Sequence, residues 1–233
     1  MLQALDLQSS RVEPAELLGS TPFIESDAPE VVDFARQAVG DAAGDVEKGV
    51  KLYYAVRDAI RYDPYRISLT EDCFRATTVL REGAAFCIPK AILLAAAARA
   101  QGIPSALGFA DVVNHLTTEK LKATMGGAEV FIYHGYTLLH LAGNWVKATT
   151  AFNLGLCQRF GVLPLDFDGV SDALLHPYDA NNRKHMEYIK ERGVFADFPF
   201  EEIAEAFRRT YPPLDQGVQP GGRRFEEETP LDR

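Results

Sequence analysis

Residues 83–104 read GAAFCIPKAILLAAAARAQGIP, and they limit the fold more than any other segment. The stretch from Ala91 to Ala98 is apolar on every side. A helix with no polar face has to be buried, so other layers must surround it. Its ends are written in the sequence. Pro89 is tolerated only in a first turn, which places the helix start near Cys87. Gly102 followed by Pro104 supplies the stop.

The rest of the chain provides the surrounding layers. PEVVDFARQAVG (29–40) has helical spacing, with Asp27 as its expected cap. A second helix is expected over about 45–60. PSALGFADVV (104–113) reads as a strand, as does AEVFIYHGYTLLHLAG (128–143). The latter turns at Gly143–Asn144 into a return strand over 145–152. A short helix is expected over 154–161 and an amphipathic one over 200–211, and residues 185–193 fit strand or helix. Helices first and antiparallel strands after predict an α+β fold, with the Cys87 helix packed on the sheet. The expected division is an N-terminal extension and helix (1–44), one domain (45–211) and a flexible tail rich in Gly, Pro, Arg and Glu (212–233).

Charge and cysteine content narrow the function. The formal net charge is −9, which disfavours a nucleic-acid partner. The three cysteines, Cys73, Cys87 and Cys157, are odd in number and lack CxxC spacing, so neither a disulfide framework nor a zinc ribbon is expected. No metal site and no cofactor are expected. The start MLQALDLQSS lacks a basic stretch before an apolar run, and no apolar run is long enough to span a bilayer. A cytoplasmic protein with no membrane partner is the expectation.

Cys87 carries the chemistry. At a helix start, unsatisfied N–H groups and the positive end of the helix dipole favour an anion. A thiolate is the reactive form of cysteine, and the same N–H groups suit the oxyanion of an acyl intermediate. Such a nucleophile needs a base. Of His115, His134, His140, His176 and His185, only His134 and His140 lie in the long strand. His140 sits close to the turn. A hairpin turning at Gly143–Asn144 brings His134 beside Thr149. Tyr62, Asp111, Asn114 and His115 are expected near the same cleft. Cys73 and Cys157 are expected to be inert.

These residues resemble the transglutaminase-like superfamily, whose core has the papain-like arrangement of helix and sheet. The first matching block is GAAFCIPKAILLAAAARAQGIPSALGF. The second is His134-Gly135-Tyr136, Gly143-Asn144-Trp145 and Val146-Lys147-Ala148-Thr149-Thr150, with VRDAIRYDPY (56–65) as the lead-in. The resemblance covers roughly residues 45–155. It implies Cys87 as nucleophile and His134 as base, and it puts Thr149 at the third position, where the family usually has Asp. A threonine hydroxyl can accept the Nδ1–H bond and hold the ring but carries no charge. Asn153 is the alternative orienter. The expected function is a cysteine hydrolase or acyltransferase acting on an amide or related carbonyl of a small molecule or peptide through an acyl-enzyme. The alternative is a non-catalytic binding domain that keeps the fold.

Overall fold

The computed structural model describes residues 2–7, 12–114, 117–174, 186–213 and 224–228. Its helices are α1 (Pro29–Val39), α2 (Asp45–Ala59), α3 (Ala76–Glu82), α4 (Cys87–Ala100), α5 (Glu119–Thr124), α6 (Leu154–Phe160) and α7 (Phe200–Thr210). Its strands are β1 (Arg61–Tyr62), β2 (Ala84–Ala85), β3 (Ser105–Asn114), β4 (Val130–Leu141), β5 (Asn144–Ala148) and β6 (Met186–Phe195). The four long strands form one antiparallel sheet in the order β5-β4-β3-β6. The segment over 185–193, which fitted either element, is strand β6.

Helix α4 lies at the centre, as its sequence demands. Every residue from Ile88 to Arg99 is buried. Helices α1, α2 and α3 pack on it, and the sheet takes another side through β4 and β3. Its two cations are buried too, and each is matched to backbone carbonyls. Lys90 donates to the carbonyls of Arg57 and Ile60, which end α2. Burial pushes the Lys90 ammonium down to about 7. Arg99 donates to the carbonyls of Ser105, Gly19 and Ala196 and so ties three segments to the helix end. Leaving either cation unpartnered there would cost several kcal/mol.

The sheet's alternation separates its faces. On β4, Gly135 meets Ile88 of α4, and the Thr137 hydroxyl donates to the Ala91 carbonyl. Tyr136 and Leu138 belong to a smaller core with Ala106 and Ala110, against which Leu5, Leu7 and Val12 of the N-terminal segment pack. Gly108 is required on that face, because a Cβ there would lie 2.2 Å from the Tyr136 ring.

Local details depart from the sequence reading. Asp27 does not cap α1: Ala28 occupies the cap position, and Asp27 accepts from the Ser20 hydroxyl. The hairpin turns at Ala142–Gly143, one residue earlier than expected, with φ of 47° and 82°. Two residues of positive φ suit the tight primed turn that matches strand twist. Strand β5 stops at Ala148, because the Thr149 N–H leaves the ladder for the Ala173 carbonyl at 2.8 Å. Part of the stretch read as a tail is packed, since Phe225 is 2% exposed within the main core. Among the described residues, no helix is long and apolar enough to cross a membrane.

Candidate active site

The nucleophile side is assembled locally. Helix α3 ends at Gly83, which takes the left-handed conformation (φ 60°). The next two residues form β2, paired in parallel with β1. Phe86 is still extended, and Cys87 opens α4. Pro89 falls in the first turn, where its missing N–H leaves no helical bond unmade.

Cys87 is half-buried and lines a cavity of about 640 Å³, mouth included. His134 lines the same cavity. The backbone N–H groups of Gly135, the residue after His134, of Ile88 and of Cys87 itself pull the Cys87 thiol toward its anionic form. Strand β4 is tight against the helix start there, since a Cβ on Gly135 would sit 3.0 Å from the Ile88 Cα. Sequence reasoning expected the N–H groups and dipole of the helix start to favour a thiolate. Desolvation wins instead, and burial pushes the thiol up to about 11 despite the three donors.

His134 depends on distant contacts. Tyr133, just before it, has φ of 54°, a left-handed conformation uncommon for a non-glycine residue. The β3–β4 register slips at this point, between the pairs Ala110–His134 and Val112–Phe131. Asp111, in the slipped segment, accepts the Tyr133 N–H at 3.1 Å. Arg192 of β6 donates to both oxygens of Asp111 at 2.6–3.0 Å, and its guanidinium lies over the Tyr133 ring at 4.9 Å. The Tyr133 hydroxyl donates to Glu202 of α7 at 2.8 Å. The strained residue before His134 is thus held from three elements. Asp111 was placed near the cleft by sequence; it does not line the cavity but supports this bulge. The signal that marks it is a lone carboxylate in an apolar strand, which has to be paired when buried. Arg192 carried no such signal.

Thr149 approaches the ring at Nε2, with its hydroxyl oxygen 3.5 Å away. Sequence reasoning had placed this contact on Nδ1. Asn153 is engaged elsewhere, where its side-chain oxygen accepts the Tyr62 N–H at 3.0 Å. His140 packs tilted against Trp145, with ring centroids 5.0 Å apart by the hairpin end, and does not line the cavity. His115, His176 and His185 lie outside the described residues. Tyr62 and Asn114 line the cavity as expected. Cys73 borders a separate pocket and its thiol donates to the Arg66 carbonyl, while Cys157 is fully buried. Sequence reasoning missed the remaining walls, among them Ile67, Leu121 of α5, Phe152, Met186 of β6, Phe207 of α7 and Phe225. Among the described residues, no group of three or more His, Cys, Asp or Glu side chains is arranged to hold a metal ion.

The family description "Transglutaminase-like superfamily" matches residues 32–150, just over half of the chain. Two solved structures are similar. One is a candidate cysteine protease from Cytophaga hutchinsonii, with 14% identity, a TM-score of 0.47, and coverage of 83% of this chain and 57% of that one. The other is a candidate protease from Parabacteroides distasonis, with 21% identity, a TM-score of 0.38, and coverage of 58% of this chain and 25% of that one. This chain therefore spans little more than half of the first and a quarter of the second. No curated protein matches.

Proposed function

Because the chain belongs to the transglutaminase-like superfamily, we propose that it is a thiol hydrolase or acyltransferase, with Cys87 as nucleophile, His134 as base and Thr149 as the orienter of the ring. The observation that carries this reading is the meeting of Cys87 and His134 at one cavity, with strand β4 packed against the helix start at Gly135.

The raised thiol pKa selects the form of the mechanism. The resting sulfur is protonated, so its proton leaves during attack rather than before. In this reading the Thr149 hydroxyl accepts from Nε2–H, which leaves Nδ1 to receive the thiol proton; the approach of that hydroxyl to Nε2 supports it. The sulfur bonds to the substrate carbonyl carbon, and the oxygen charge falls to the N–H groups at the α4 start. The carbonyl–leaving-group bond then breaks, with His134 returning its proton to the leaving group. Water, or an amine in the transfer reaction, attacks the thioester. His134 takes the attacker's proton and passes it to the departing sulfur, so the thiol is restored.

The test is a panel of small amides, esters and thioesters, run with wild type, Cys87→Ala and Cys87→Ser, with the acyl-enzyme trapped for intact mass. Wild type should gain the mass of the acyl group, and Cys87→Ala should be inactive. Turnover that survives Cys87→Ala ends the proposal. The competing reading, a binding domain without catalysis, draws on the uncharged Thr149 and the raised thiol. It predicts no acyl-enzyme with any compound of the panel.

A further inference from the structure

The chemistry of the cavity wall says what kind of acyl group it accepts. Among the described residues, none of those lining the cavity is Asp, Glu, Lys or Arg. Aromatic and aliphatic side chains make up nearly all of it, with Tyr62, Phe86, Phe152, Phe207 and Phe225 among the aromatic ones. The hydroxyl of Tyr211, another wall residue, is satisfied internally, donating to the Val130 carbonyl and accepting the Ile132 N–H. Asn114 adds one uncharged polar side chain. A charged acyl group entering here would give up its hydration with no carboxylate, Lys or Arg partner among the described wall residues.

One wall of the cavity is supplied by the C-terminal part of the chain. Phe225 packs edge-on against Tyr62 and Tyr65, with ring centroids 5.7 and 5.9 Å away, and tilted against Phe160 at 5.2 Å. Glu228 anchors that segment. It accepts from the Tyr65 hydroxyl at 2.8 Å and the Thr118 hydroxyl at 2.6 Å, and it pairs with Lys120 at 3.3 Å. An open groove would let a polypeptide run past the thiol. A wall of this kind instead favours a small ligand held beside the thiol.

We infer that the Cys87 pocket takes a small, uncharged acyl group of aromatic or branched aliphatic character, enclosed whole, rather than a stretch of peptide or an acidic acyl chain. This rests on the function proposed above for the chemistry, but the pocket's preference can be read without turnover. Cys87 is alkylated in the wild-type protein with N-benzyl iodoacetamide and with iodoacetate, each rate divided by that of the same reagent with glutathione. Peptide mass mapping separates Cys87 from Cys73, which lies outside the cavity. The benzyl reagent should lead at Cys87 by at least about 30-fold, the value of burying one phenyl group, with no comparable lead at Cys73. Asn114→Lys, at a half-buried wall position, should shrink the lead by about tenfold or more by offering the carboxylate a partner. Equal normalised rates at Cys87, or a lead for iodoacetate, overturn the inference.

A benzoyl against succinyl pair in the substrate panel separates the two failures. Cys87-dependent turnover that favours succinyl, or that prefers extended peptides, overturns the pocket assignment and leaves the mechanism standing. A strong benzyl preference in labelling, with turnover surviving Cys87→Ala, overturns the mechanism and supports the pocket.

Discussion

The two sides of the candidate site are built by opposite means. Cys87 is placed by its own neighbourhood: a helix stop at Gly83, two residues of strand, an extended Phe86 and a first turn with Pro89. His134 is placed from a distance. Its neighbour Tyr133 holds a left-handed backbone through Asp111, 22 positions earlier, and through Arg192 and Glu202 on later elements. A helix start tolerates change elsewhere, because its geometry is set within a few residues. A strained strand residue persists only while its partners over-determine it. Substitutions far from the cavity should therefore reach catalysis through the histidine and spare the thiol.

The largest effect tests the base itself. His134→Asn should lower kcat/KM by about 10²–10⁴-fold, the usual worth of a positioned general base. Retention within tenfold of wild type would mean that another group takes the proton.

Asp111→Ala probes the remote side of the comparison. It removes the acceptor of the Tyr133 N–H and leaves Arg192 without its carboxylate. If the bulge relaxes and the imidazole shifts by about 1 Å, kcat should fall by about 10²-fold, with KM nearly unchanged. Asp111→Asn keeps an oxygen for the Tyr133 N–H and should recover much of that loss. A merely structural role would lower the melting temperature of both variants without this recovery in kcat. The contrast between the two sides fails if Asp111→Ala leaves kcat intact.

The thiol side has a pH signature of similar size. With the Cys87 thiol pushed up to about 11, the thiolate fraction grows nearly tenfold per pH unit below that value. Iodoacetamide labelling of Cys87 should rise about 100-fold between pH 8 and 10. A thiol at its ordinary pKa of about 8.5 would rise only about fourfold over that range and then level off. Levelling below pH 7 would instead mark a preformed thiolate–imidazolium pair. Either plateau would refute the view that burial outweighs the helix start.

The same division explains what could be read in advance. The helix that carries Cys87, its flanking layers and the long hairpin are written in local periodicity, and their bounds fell within a few residues. Strands β1 and β2 are two residues each and exist only through their pairing, so no periodicity marks them. Helix α3, ATTVLRE, contains three β-branched residues in seven and offers weak helical propensity; packing on α4 forms it. Phe225 sits in a stretch whose composition signals an unpacked tail, yet one aromatic side chain finds an aromatic wall. The thiolate expectation failed for a related reason. Local sequence announces the N–H donors and the dipole, while desolvation is set by everything that folds over them.

The smallest expected effect falls where sequence raised the sharpest question, at Thr149. Its hydroxyl lies 3.5 Å from Nε2, at the limit of a hydrogen bond, and it is neutral. Thr149→Val keeps the shape and removes the acceptor. A net hydrogen bond of about 0.5–1.5 kcal/mol translates into a loss of roughly 2–10-fold in kcat. Thr149→Asp restores the charge that the family usually places here. A carboxylate beside Nε2 favours the imidazolium, so the imidazolium–thiolate form gains and Cys87 labelling at pH 7 should rise several-fold. The site is buried, so the new carboxylate also has to survive desolvation; stability measured alongside labelling separates that cost from the electrostatic gain. If Thr149→Val loses more than about 100-fold, the hydroxyl does far more than hold a tautomer. In that case the base side is as finely tuned at its third member as it is at Asp111.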